Sequence, residues 1–195
     1  MASRDSAGFA PLSRAELAGL AALWPKSSLE LSLQVVESMH VLSLRHLPGA
    51  GTSALSTVMA GHTLPGLPAP GCCCGIEPRL IWCSPNETLL LTKDARLASA
   101  LLAALWPAPG ALACALDSTA GTLVVDMRGG NVAALLSRLV DSQSLPREGG
   151  QASRIRLVDI AAVVWRDAPD RAGLLIDRAN GHYLARWLSY AVGGI

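Results

Sequence analysis

Apolar residues in this chain come in short runs separated by turn residues. Met39 to Leu44 predicts a strand, and Leu47-Pro48-Gly49-Ala50-Gly51 then turns the chain. Thr52 or Ser53 is placed to cap a helix reaching about Ala60, with Gly61 at the expected stop. Residues 62–78, rich in Pro, Gly and Cys, predict a loop. Arg79 to Cys83 and Thr88 to Thr92 read as a hairpin turned by Ser84-Pro85-Asn86-Glu87, where proline presets φ. Asp94 can cap a helix from Ala95 to about Trp106.

The pattern then returns. Leu123 to Met127 predicts a strand, Arg128-Gly129-Gly130-Asn131 a turn, and Val132 to Val140 a helix. After a loop from Ser142 to Gly150, Arg154 to Val158, Ala161 to Trp165 and Gly173 to Asp177 read as strands. Asn180 or Gly181 starts a last helix to Tyr190. Leu42 corresponds to Val124, an offset of 124 − 42 = 82 residues. The order of elements predicts an α+β fold of two pseudo-repeated ferredoxin-like halves, about 39–110 and 121–192, within one domain over 31–195. Residues 1–30 read as an N-terminal arm. Its capping box, Ser13 to Glu16, precedes a short helix from Leu17 to Trp24 that Pro25 ends. So short a helix must dock to be stable, so Trp24→Ala or loss of residues 1–26 is expected to weaken assembly more than folding.

Composition narrows the function. Apolar residues make up 51% of the 195 and charged residues only 16%, which excludes disorder and suggests a surface partly covered by partners. The net charge is +1 with no basic run, which speaks against nucleic acid. Arg4, Asp5, Arg14, Glu16 and Lys26 interrupt any secretory leader. The uncharged stretch from Leu97 to Leu116 is broken by Trp106-Pro107-Ala108-Pro109-Gly110, so it predicts a buried helix, a turn and a following segment rather than a membrane span. Five cysteines without a leader predict reduced thiols in the cytoplasm.

Candidate chemistry is sparse, and the sequence predicts no catalytic, cofactor-binding or metal-binding residue. Cys72-Cys73-Cys74 lacks the C-x₂₋₄-C spacing that lets two thiolates reach one zinc ion, and only His62 and Cys83 lie near it in sequence. His40, His46, His62 and His182 form no metalloprotease motif. Gly49-Ala50-Gly51 and Gly129-Gly130 sit at strand-to-helix turns, but Ala54 stands where a dinucleotide fingerprint needs glycine. Glu77, Glu87, Asp126, Asp159 and Asp177 fall at strand ends or turns, consistent with capping or solvated roles. Trp82 and Trp165, and likewise Trp106 and Trp187, hold similar places in the two halves, which predicts packing or interface positions.

Several segments resemble the sarcosine oxidase gamma family. Leu80-Ile81-Trp82-Cys83-Ser84-Pro85-Asn86-Glu87-Thr88-Leu89-Leu90-Leu91 is similar to that family's hairpin, with Ser-Pro-Asn-Glu where the family has Gly-Pro-Asp-Glu. Asp117-Ser118-Thr119-Ala120-Gly121 through Gly129, Arg154 to Trp165, and Leu174 to Leu188 resemble its later segments, so the likeness covers about 30–190. The Cys72-Cys73-Cys74 loop is not part of the pattern. The resemblance implies an aminomethyltransferase-like folate-binding fold. It also implies a non-catalytic subunit of a heterotetrameric sarcosine oxidase with alpha, beta and delta partners. That complex demethylates sarcosine oxidatively to glycine and passes the one-carbon unit to tetrahydrofolate. FAD, FMN, NAD, zinc and tetrahydrofolate are expected in the partner subunits and no cofactor in this chain. Two alternatives stay open. One is an independent folate-binding, aminomethyltransferase-like protein, needing an acidic residue at the pterin, for which Asp126 is the nearest candidate. The other is a metal or thiol regulator built on the cysteine loop.

Overall fold

A computed structural model describes residues 30–141 and 143–193. The expected arm helix, with Trp24, lies outside the described residues. The first half contains β1 (Ser32–Val35), β2 (His40–His46), α1 (Ala50–Gly61), β3 (Cys73–Cys74), β4 (Arg79–Ser84), β5 (Glu87–Thr92) and α2 (Ala95–Ala104). The second contains β6 (Ala113–Asp117), β7 (Thr122–Arg128), α3 (Val132–Leu139), β8 (Ala152–Leu157), β9 (Ile160–Ala168), β10 (Arg171–Asp177) and α4 (Gly181–Val192). Among the described residues the fold is α+β: two antiparallel sheets, ordered β3-β4-β5-β2-β6 and β1-β7-β10-β9-β8, and four α-helices.

Strand alternation explains why these strands are apolar throughout rather than at every second position. In β7, Leu123, Val125 and Met127 point at α3 and α4, while Val124 points at the other sheet. In β2, Leu42 and Leu44 meet α1 and α2, while Val41 points inward. The result is four layers, helix–sheet–sheet–helix. Leu55, Met59 and Leu101 cover one outer sheet face, and Leu135, Leu136, Leu184 and Leu188 cover the other. Between the sheets, Val41, Ile81, Leu89 and Leu91 face Val124, Val163, Trp165 and Leu175. Each fully buried aliphatic side chain contributes about 1.5–3 kcal/mol of transfer free energy.

The two halves exchange edge strands. Although β1 precedes β2 in the chain, it pairs with β7 of the other sheet, Ser32 opposite Arg128. In turn β6, just before β7, pairs with β2 in the first sheet, Leu42 opposite Asp117. At the opposite edge the sheets are stitched by backbone: Cys73 N donates to Gly150 O (2.7 Å), Ala152 N to Gly71 O (2.8 Å), and Cys72 bridges Gln151.

Several expectations change. Neither Thr52 nor Ser53 caps α1; the helix starts at Ala50 behind Gly49 at φ +73°, with no side-chain cap. Gly51 lies so close to the Leu112 carbonyl oxygen that a Cβ has no room, and this contact fixes the helix start. The 62–78 loop contains β3, and the segment following α2 becomes β6. Trp82 and Trp165 do not share a face. Trp165 lies between the sheets, as do Ile81 and Cys83, so alternation turns Trp82 toward the helices. Asp94 caps α2 as expected, accepting from Arg96 N (2.8 Å) and Leu97 N (3.2 Å).

Candidate functional site

The polar groups that survive inside the fold collect where the inter-sheet layer opens at its two ends. At one end the layer leaves a pocket of about 300 Å³. Arg79 of β4 enters it almost fully buried. Its Nη1 lies 2.6 Å from Asp167 Oδ1 on the other sheet, and its guanidinium packs 5.5 Å from the centre of the Trp165 ring. Arg171 reaches toward both Asp126 (3.5 Å) and Asp167 (3.6 Å), and Arg128 Nε meets Asp126 Oδ2 at 2.6 Å. The cluster sets three arginines, Arg79, Arg128 and Arg171, against two aspartates, Asp126 and Asp167, with Arg79 buried and Arg128 and Arg171 partly open to water. Asp126 lines this pocket, where Arg128 donates to its Oδ2 and Arg171 lies 3.5 Å from its Oδ1.

At the other end a groove of about 700 Å³ is lined by Asp117, Ser118, Thr122, Arg154, Val163 and Asp177 among others. Its carboxylates hold backbone in place. Asp117 Oδ1 accepts from Thr119 N (2.9 Å), and Asp177 Oδ1 accepts from Ala179 N (2.8 Å). Arg154 pairs across the sheets with Glu87 (3.4 Å), which also accepts from the Ser43 hydroxyl (2.7 Å) and meets Arg45. Glu77 accepts from Thr92 Oγ1 and from Lys93 N (2.8 Å). The two hydroxyl–carboxylate contacts, Ser43 on Glu87 and Thr92 on Glu77, have buried hydroxyls, and these arrangements act as ties between strands, turns and sheets.

The cysteine run is part of the stitch between sheets. Cys73 is buried; its thiol contacts Gln151 O, and Arg79 Nη1 approaches its sulfur at 3.8 Å. Burial pushes the Cys73 thiol up from its ordinary value, partly opposed by the Arg79 charge, and burial raises Cys74 as well. Burial first, and the Glu87 carboxylate second, push Cys83 up to about 11. These are packing thiols held protonated, not activated nucleophiles. Among the described residues no three His, Cys, Asp or Glu side chains are grouped to hold a metal ion. His46 Nδ1 contacts Thr52 Oγ1 (3.1 Å) at the start of α1, while His182 stands exposed on α4. Gly129, at φ +120°, lies against the Glu30 carbonyl oxygen, so that glycine makes room for backbone rather than for an anion.

The helical layers carry the most unusual chemistry. Across α1, α2, α3 and α4 there is no Asp, Glu or Lys; the charges are Arg96, Arg138 and Arg186, with His182. Helices with a water-facing side normally carry charge of both signs there. Trp106, just past α2, is 71% exposed, and Leu47, Leu112, Tyr183, Trp187 and Tyr190 are also open to solvent. Composition hinted at covered surfaces, but only the fold shows where these residues lie. Among the described residues no helix is long and apolar enough to cross a membrane.

The chain matches no protein-family model and no curated protein sequence. Solved structures do match. It is similar to a chain of the heterotetrameric sarcosine oxidase from Corynebacterium sp. U-96, solved in complex with pyrrole 2-carboxylate, at 25% identity and a TM-score of 0.75, with 91% of each chain covered. It is also similar in fold to glycine cleavage system aminomethyltransferase T from Bartonella henselae, at 13% identity and a TM-score of 0.56. That match covers 91% of this chain and 50% of the other, so the present chain spans about half of that protein. Two antiparallel sheets with four helices, closed by exchanged edge strands, thus form a fold related to that of a chain in heterotetrameric sarcosine oxidase.

Proposed function

We propose that the chain is a non-catalytic structural subunit of a cytoplasmic, multi-chain flavoenzyme of the heterotetrameric sarcosine oxidase type. The observation that carries this reading is the end-to-end likeness to a chain of such an enzyme, which leaves little of either chain unmatched. The interior supports it: the buried polar groups pair with one another or cap backbone, and both thiols in the inter-sheet layer, Cys73 and Cys83, are held protonated. The carboxylate-free helices, with exposed aromatic side chains on the last of them, fit a protein whose outer layers are covered in an assembly.

In this reading the partners are the alpha, beta and delta subunits, and FAD, FMN, NAD, zinc and tetrahydrofolate belong to them. The complex oxidises sarcosine to glycine and passes the one-carbon unit to tetrahydrofolate. This chain's part is to hold the catalytic subunits in register. The two sheet-and-helix units are a duplicated ferredoxin-like element within one domain over 31–195, preceded by an arm. An independent folate protein fits less well, because the one carboxylate placed for a pterin, Asp126, is already ion-paired with Arg128 at 2.6 Å and has Arg171 3.5 Å away.

Reconstitution from co-expressed subunits tests the non-catalytic role. Omitting this chain is expected to lower the yield of assembled complex at least tenfold, while turnover per flavin in what does assemble stays within about twofold. Full assembly with abolished turnover would place this chain in the chemistry and refute the structural role.

A further inference from the structure

The outer face of α4 has the composition of a binding surface. Leu184, Ala185, Leu188 and Ala191 bury one side of the helix. On the other side Tyr183, Trp187 and Tyr190, at positions i, i+4 and i+7, make one stripe. Their rings stack edge to face, Tyr183 on Trp187 at 6.3 Å and Trp187 on Tyr190 at 5.9 Å. Both tyrosines of the chain are in this stripe, and Tyr190 is 77% exposed. Tyrosine and tryptophan bury large area for little lost rotamer freedom, which is why they dominate binding hot spots.

Charge says what covers the stripe. Its flank carries Arg186 and His182, with Arg138 on neighbouring α3 held to the Ala191 carbonyl (3.0 Å), and neither helix has a carboxylate. The carboxylate at its edge, Asp159, contacts Tyr183 Oη and is paired with Arg156. A second copy docking by two-fold symmetry would set this cationic face against itself. Residues 1–29 carry Arg4, Arg14 and Lys26 against Asp5 and Glu16, 3 − 2 = +1, and so offer no complement either. We propose that the Tyr183–Trp187–Tyr190 stripe docks an acidic, apolar-flanked segment of another chain of the complex. This rests on the subunit reading and names one of its contact surfaces.

The test uses the full-length tagged chain, purified with its partners from the native host. The photoreactive residue 4-benzoylphenylalanine replaces Tyr190 in one variant, and Arg186→Glu is a second. The expected crosslink joins position 190 to a peptide of a different chain that contains Asp or Glu. Arg186→Glu is expected to lower partner recovery at least tenfold, Arg186→Gln less, with the melting temperature of the isolated chain unchanged. A crosslink from position 190 to residues 1–29 or to a second copy overturns the proposal, as does full recovery with Arg186→Glu. If the unaltered chain recovers no partner, the subunit reading falls with it. If the complex is intact but position 190 crosslinks to nothing, only the docking surface falls.

Discussion

Gly173→Ala is expected to destabilise the chain by about 3 kcal/mol, a fall of roughly 6–12 °C in Tm. Gly173 of β10 pairs directly with Trp165 of β9, and the indole lies over the glycine where a side chain would stand. A methyl group there overlaps the ring, so the ring must leave its packed position. Trp165 is buried between the sheets, beneath the Arg79 guanidinium and among Val163, Leu175 and Ile81. Displacing it approaches the cost of truncating a buried tryptophan, about 3–5 kcal/mol. A double-mutant cycle isolates the cause. Trp165→Leu alone is expected to cost about 2–3 kcal/mol, but in that background Gly173→Ala should cost less than about 1 kcal/mol, a coupling near 2 kcal/mol. Additive effects in denaturant melts would mean that the glycine serves something other than the indole.

Arg79→Ala is expected to cost about 2–3 kcal/mol. The arginine links the sheets through Asp167, packs on Trp165, and touches Cys73 at the stitched edge. Breaking a buried pair by removing one partner costs about 3–5 kcal/mol, because the remaining charge is stranded. The lower figure applies because Asp167 is partly exposed and keeps Arg171 at 3.6 Å. Arg79→Met, which restores apolar volume over the indole, should recover about half the loss. High salt should alter the Arg79→Ala effect little, since a buried pair is poorly screened. An Arg79→Ala chain that melts with wild-type stability would show that packing alone joins the sheets.

Much of this fold was legible in the sequence. The β4–β5 hairpin was marked by a proline turn between two apolar runs, and α2 by Asp94 as its cap. β7 through α4 followed from the same alternation of short strands and leucine-rich helices. What the sequence hid was long-range. β1 has only four residues and no turn signal, and it becomes a strand because β7, far along the chain, offers an edge. β3 is two residues of a cysteine run whose partners are β4 and the start of β8. The tryptophan correspondence failed for a related reason: in a strand a one-residue offset moves a side chain to the opposite face. At the candidate site, Arg79 and Trp165 gave no local sign that they would meet. They are 86 positions apart (165 − 79), and only the packing of one sheet on the other joins them. The stripe on α4 was half visible: Trp187 stood out as a packing or interface position, but its tyrosine neighbours take meaning only once Leu184 and Leu188 define the buried side.

The central claim is that this chain works as part of an assembly. Its most direct test is to purify a tagged copy from the native host and record subunit masses and visible absorption of the eluate. The account predicts a yellow complex in which this chain is accompanied by three others and which consumes oxygen when sarcosine is added. A colourless, monodisperse product containing this chain alone would contradict it.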